Sequence, residues 1–249
     1  MTTPAASVLL ATRDGARHLD AALASLAAQT LSPLEFVLVD DGSRDGSGER
    51  LRAFAARQPC ARVVRTNGLG LSGALATAAA LAHGELLARH DDDDLSHPER
   101  LERQAAHLAA HPLIGVLGTA ARIIDDAGRE IGAHPVPLGQ AAIRRTLRRA
   151  PPFVHGSVMM TRAAYQAAGG YRAAFRAAQD YDLWLRMPES VGLANLAQPL
   201  YAWRHHPGGV FSRARATQLV YAALARAFAE ERRATGADAL AALAAAPDA

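Results

Sequence analysis

Four short apolar runs recur in the first third of the chain, at residues 7–11, 35–39, 62–65 and 85–88. Their length and their content of Val and Leu suit buried strands. Between and after them, at 19–29, 49–56, 72–83 and 101–108, apolar residues return every three or four positions, which is the period of a helix. Strands that alternate with helices over short connections predict an α/β fold, a mainly parallel sheet flanked by helices on both faces. Beyond residue 113 the pattern changes. Strand-like runs at 115–119 and 123–125 lead into the turn Asp125-Asp126-Ala127-Gly128, and 133–153 reads as a mobile loop rich in proline and arginine. The second half therefore reads as α+β, and the alanine-rich segment after Arg213 as a helical C-terminal tail. We expect one domain over 1–212, with halves 1–112 and 113–212, and a tail over 213–249.

With 249 residues, 50% of them hydrophobic, the chain can build a full core. No apolar run approaches the length that spans a bilayer, and residues 7–11 are too short for a secretory signal, so the expectation is a cytoplasmic protein. The single cysteine, Cys60, excludes an intrachain disulfide. Net charge is +3, yet every basic side chain is arginine and no lysine occurs. That usage, with the heavy use of alanine, reflects GC-rich coding, so the basic balance does not point to nucleic acid and no nucleic-acid partner is expected. Most arginines alternate with acids, as in Glu99-Arg100-Leu101-Glu102-Arg103, and read as solvated helix faces. Arg144, Arg145, Arg148 and Arg149 stand apart in a short predicted helix before Pro151. Spacings of four stack them without an acid, so this face meets a phosphate or a membrane.

The run His90-Asp91-Asp92-Asp93-Asp94 directly follows the fourth strand. Adjacent carboxylates repel and raise each other's pKa, so at the end of a buried strand the cluster calls for a cation. An EF-hand is excluded, because Ser96 stands where that loop needs glycine. Ser96 and Glu99 around Pro98 instead predict a capping box that starts the next helix. Strand, acidic loop and helix form the ligand site of a βα unit. One competing motif, Gly68-Leu69-Gly70-Leu71-Ser72-Gly73, fits G-x-G-x-x-G and predicts a dinucleotide cradle, although it belongs to the third βα unit and not the first.

Several motifs in order resemble the inverting nucleotide-sugar glycosyltransferases of family 2. Ser7 to Asp14 is similar to the family's first strand and nucleotide loop, Val39-Asp40-Asp41-Gly42-Ser43 to its Val-Asp-Asp-Gly-Ser, and Asp91–Asp94 to its D-x-D region. Gly169-Gly170-Tyr171 with Gln179-Asp180-Tyr181-Asp182-Leu183-Trp184 is similar to the acceptor-side helix, and Trp203-Arg204-His205-His206-Pro207-Gly208 to the closing segment. The resemblance implies a GT-A (Rossmann-like) fold whose first half binds the nucleotide sugar and whose second half faces the acceptor. It implies donor contacts from Ala11, Thr12, Arg13, Asp41, Asp92 and Asp93, a Mn²⁺ or Mg²⁺ on Asp93 and Asp91, and Asp180 as the base. Gln179, Asp182 and Trp184 would line the acceptor side. Trp184 and Tyr181 either form a platform for a sugar face or belong to the core, and His206 either approaches the phosphates or metal or is structural. Four positions depart from the family pattern: Arg13 stands where an aromatic is usual, Leu75 and Ala76 replace polar residues, and Gln179 replaces an acid.

The implied activity is transfer of a sugar from a UDP-, dTDP- or GDP-linked donor to a saccharide or lipid-linked hydroxyl, in making a cell-surface polysaccharide or glycolipid. Such work places the enzyme in the cytoplasm or peripherally at the anionic inner membrane face. The alternatives are an NAD(P)-dependent oxidoreductase and a catalytically silent sugar-nucleotide or nucleic-acid binding module.

Overall fold

A computed structural model of the chain describes residues 3–189, 191–205 and 215–240. Among these residues the strands are β1 (Ala6–Thr12), β2 (Leu34–Asp40), β3 (Ala61–Arg65), β4 (Leu86–His90), β5 (Leu95–Ser96), β6 (Ile114–Ile124), β7 (Glu130–His134), β8 (Met159–Thr161) and β9 (Gly192–Arg204). The helices are α1 (Ala16–Ala27), α2 (Ser47–Ala55), α3 (Gly70–Leu81), α4 (Arg100–Ala110), α5 (Gln140–Leu147), α6 (Arg162–Ala167), α7 (Gln179–Arg186) and α8 (Arg215–Thr235).

The strands form one sheet in the order β3-β2-β1-β4-β8-β6-β9-β5, with β7 paired to β6. Its first four strands are parallel, and β8 joins β4 and β6 antiparallel. Alternation along the parallel strands sends one set of side chains to each face. Leu9, Val37, Val39 and Leu87 pack with Ala74, Leu75 and Ala78 of α3, whereas Val8, Leu10, Leu38 and Ala88 pack with Leu19, Leu23 and Leu26 of α1 and Leu51 of α2. Both faces are thus covered, as the continuous apolar runs require. Each such leucine stabilises the fold by roughly 1.5–3 kcal/mol through burial.

The chain leaves β1 toward β2 and β3 on one side and returns to β4 on the other, so the crevice between β1 and β4 is the switch point of the sheet. In register, Thr12 faces Asp40 and Leu10 faces His90, which brings the nucleotide loop, Asp41 and the acidic run to one edge.

Four expectations are corrected. Ser96 lies in β5, paired with Tyr201, and no side chain caps α4, which begins at Arg100 after the turn at Pro98. The two strand-like runs after residue 113 are one strand, Ile114–Ile124, because β9 pairs along its whole length and bulges absorb the irregular middle. The stretch 133–153 is no open loop, since it ends β7 and holds α5, whose Ile143 and Leu147 are buried. Helix starts in the first half fall one to three residues before the apolar period begins.

Candidate active site

Thr12 ends β1, and its hydroxyl donates to Asp92 across the β1/β4 crevice. Gly15 is required beside this pair, because a Cβ there would collide with the Asp92 carboxylate and the Thr12 hydroxyl. Asp14, at φ 57°, takes the left-handed region while its own N–H is held by Ser43 (3.1 Å) and its carboxylate accepts from the Arg44 N–H (2.8 Å). These bonds lock the loop after β1 to the loop after β2.

Asp41 is buried under the glycine-rich loop. Its Oδ1 accepts from the Thr66 hydroxyl (2.6 Å) and from the N–H groups of Gly68 (3.0 Å) and Leu69 (2.7 Å), while its Oδ2 accepts from the Gly70 N–H (2.8 Å). Four donors fill the capacity of a carboxylate. The amides that a dinucleotide pyrophosphate would need are therefore spent on Asp41, and the G-x-G-x-x-G reading loses its physical basis. The same loop, with Arg13, Ala173 and Arg176, lines a cavity of about 490 Å³. Arg13 packs its guanidinium over Gly68 and offers a planar surface at the position where the family pattern has an aromatic ring.

Each acid of the run has its own surroundings. Asp91 is ion-paired to the fully buried Arg89; burial raises its pKa, but the Arg89 guanidinium, His155 and His90 together outweigh burial and hold it below the ordinary range. Asp92 is pushed up to about 7, first by burial and then by the charge of Asp93, against the opposing bond from Thr12. Asp94 is raised well above the carboxylate range by burial and by Asp91 and Asp93, although it accepts from the Arg204 N–H (2.6 Å) and from Tyr201. His90 lies wholly buried, lowered to about 3 by burial and by Arg100, so it stays neutral and bonds the Asp91 carbonyl through Nδ1 (2.6 Å). An all-oxygen set of crowded carboxylates whose charge is unfavourable by itself fits a hard divalent ion such as Mg²⁺ or Mn²⁺. Among the described residues no group of three or more His, Cys, Asp or Glu side chains is assembled to hold a metal by itself, so protein ligands would be few.

On the other side of the sheet edge, Ala178 at φ 50° turns the chain into α7. Asp180 sits half-buried in the first turn, where the helix dipole favours a negative charge. The rest of α7 is buried on nearly every side. Tyr181 donates to the Leu147 carbonyl (2.7 Å), Trp184 packs edge-on against Phe153 (5.3 Å), and Asp182 is gripped by Arg172 (3.0 Å) and Arg186 (2.8 Å). The open alternative for Trp184 and Tyr181 thus closes in favour of the core, and Asp182 anchors the helix instead of facing an acceptor. Gln179 is buried beside Asp180. His206 lies outside the described residues.

One site residue had no signal in the sequence. His155, in a short 3-10 turn before β8, is half-buried, bonds the Tyr171 hydroxyl through Nε2 (2.9 Å), and lies edge-on toward Trp184 (6.2 Å). Its pKa is lowered by burial and by Arg89, while Asp180 and Asp91 both oppose the shift. One imidazole therefore feels the carboxylates of both loops. A histidine just after a Pro/Arg-rich stretch has no periodic context, and only contact with α7 reveals it.

Comparison with known proteins defines the class. The model of the family described as Glycosyl transferase family 2 matches residues 7–169, and the chain belongs to that family. The amylovoran biosynthesis glycosyltransferase AmsE of Erwinia amylovora is 33% identical over 199 residues, covering 78% of this chain and 73% of that protein. Among solved structures, S. aureus TarS (residues 1–349) in complex with UDP-GlcNAc superposes with a TM-score of 0.70 at 21% identity, over 84% of this chain and 61% of that one. The mannosyltransferase PcManGT of Pyrobaculum calidifontis, in complex with GDP-Man and Mn²⁺, gives 0.70 at 21%, over 94% and 65%. The fold is GT-A, and the chain spans somewhat under two thirds of these two structures. No described helix is long and apolar enough to cross a membrane.

Proposed function

We propose that this chain is an inverting glycosyltransferase that takes a sugar from a nucleotide-diphospho-sugar and passes it to a hydroxyl acceptor in polysaccharide or glycolipid synthesis. The observation that carries the reading is the acidic run that β4 delivers to the β1/β4 switch point, where the Thr12 hydroxyl bonds Asp92, in a chain that belongs to glycosyltransferase family 2. The naming of AmsE for amylovoran biosynthesis, and the UDP-GlcNAc and GDP-Man bound in the two solved relatives, support the donor class and the product class.

Thr12, Arg13 and Asp92 border the crevice where the nucleoside would lie, and Asp41 shapes its glycine wall. Asp93 is the ligand we assign to a Mn²⁺ or Mg²⁺; Asp91, expected beside it, is committed to Arg89. When bound, the ion would offset the charge that develops on the leaving diphosphate. Asp180 takes the proton of the acceptor hydroxyl as its oxygen bonds the anomeric carbon and the bond to the diphosphate breaks on the opposite face. We assign 1–212 to the catalytic domain and the remainder to a helical tail, and place the protein on the cytoplasmic side with peripheral contact to the anionic membrane.

Two substitutions test the roles. Asp93→Asn should abolish Mn²⁺-dependent nucleotide binding in calorimetry, together with transfer and slow donor hydrolysis. Asp180→Asn should leave nucleotide and Mn²⁺ affinity near wild type while turnover falls roughly 10²-fold or more. Intact metal-dependent binding in the first variant, or full turnover in the second, overturns the assignment.

A further inference from the structure

Arg204, the last residue of β9, lies buried where the acidic loop, the β6–β7 turn and the nucleotide side of the sheet converge. Its N–H donates to Asp94 Oδ1 (2.6 Å), its Nε to the Asp93 carbonyl (2.7 Å), and its Nη1 to the carbonyls of Asp125 (2.8 Å) and Asp126 (3.0 Å). The turn it grips is anchored in its own right. Asp126 receives His18 Nε2 (2.9 Å) and the Arg17 guanidinium, and both donors stand in the first turn of α1, directly after the nucleotide loop. Thr12 and Asp92 then close the circuit back to the acidic run.

We infer that Arg204 is a positioning residue: its planar fork holds the Asp93 peptide against the 125–126 turn and so sets the direction in which the Asp93 carboxylate meets a divalent cation. This rests on the proposed assignment of the ion to Asp93. The guanidinium carries out the task through geometry, because Nε serves the Asp93 carbonyl while Nη1 serves those of Asp125 and Asp126, a fixed pair of donor atoms that a single ammonium lacks. A cation planted on carbonyl oxygens beside four carboxylates also lowers the cost of gathering them.

Partners that orient a metal ligand typically change metal affinity by 10- to 100-fold when removed. We therefore expect Arg204→Gln and Arg204→Lys each to raise the Mn²⁺ concentration for half-maximal UDP or GDP binding by at least about tenfold, with metal-free nucleotide affinity within about twofold of wild type. Circular dichroism and thermal melts establish that the variants are folded. Asp126→Ala, a half-exposed position that removes only the far anchor, should shift the same midpoint by about threefold, near the upper range for such pairs. If Arg204→Lys restores wild-type Mn²⁺ affinity, charge alone suffices and the positioning role is wrong. Unchanged Mn²⁺ affinity in Arg204→Gln also overturns it, and should that variant not fold, unchanged affinity in Asp126→Ala does so. Wild-type nucleotide binding that ignores Mn²⁺ would instead remove the underlying assignment of the ion.

Discussion

Asp238 offers a direct test of how the C-terminal segment supports the candidate base. It is buried, at 2% exposure, just past the end of α8. Its carboxylate accepts from Arg172 at 2.9 and 2.8 Å and from Arg232 at 2.5 Å. Arg172 also grips Asp182, two residues beyond Asp180, and Arg232 reaches Glu189 at 3.1 Å. Asp238→Ala leaves two largely buried guanidinium groups short of one partner each. Breaking a buried ion pair costs about 3–5 kcal/mol. Each arginine keeps a second acid, so we expect the lower end, about 3 kcal/mol, or a fall in Tm of about 6–12 °C for a chain of this size. Loosening Arg172 leaves Asp182 held by Arg186 alone, so turnover should fall more than nucleotide affinity. Asp238→Asn, which still accepts hydrogen bonds, should lose about half as much stability. Thermal denaturation with calorimetric nucleotide titration decides the matter. A loss below about 1 kcal/mol in the alanine variant would show that solvent screens the network and that the tail is not part of the support of α7.

Two further outcomes are expected. Burial would raise the Glu35 pKa, but bonds from the Ser7 hydroxyl (2.5 Å) and from His83 (2.7 Å) hold it below the ordinary value of 4.5. A lowered folded pKa means that this group's stabilisation is present above 4.5 and fades as pH falls through the folded value, so wild type and Glu35→Gln should converge in urea midpoint on acidification; a gap that stays constant from about pH 7 to about pH 3 refutes this. Arg144, Arg145, Arg148 and Arg149 are all exposed on and just beyond α5, and if each adds about 1 kcal/mol near an anionic surface, replacing all four by glutamine should abolish low-salt co-sedimentation with anionic vesicles. Absence of binding by the wild type, or no change in the variant, would count against membrane contact.

Local pattern by itself determined the parallel half of this protein. The runs that became β1, β2 and β4 are buried on both faces, so they stand out as apolar blocks beside the half-buried edge strand β3, and the helices after them carry a 3.6-residue stripe because one side packs on that sheet. The acidic run at the end of β4 was legible for a similar reason, because strand ends are where charge is tolerated and used, whereas Asp180 was marked only by the family resemblance. Past residue 113 local pattern misled, since β6 is one strand only because β9 pairs along it, and α5 is held by two buried side chains within a proline- and arginine-rich stretch. Tertiary structure alone decided what each carboxylate does. Thr12 reaches Asp92 across 80 residues and Arg204 reaches Asp93 across 111, separations set by the order of strands in the sheet and not by any period along the chain. Trp184 became core instead of platform, and His155 came to lie against it, because α7 plunges into the domain and leaves only Asp180 and Leu185 partly exposed.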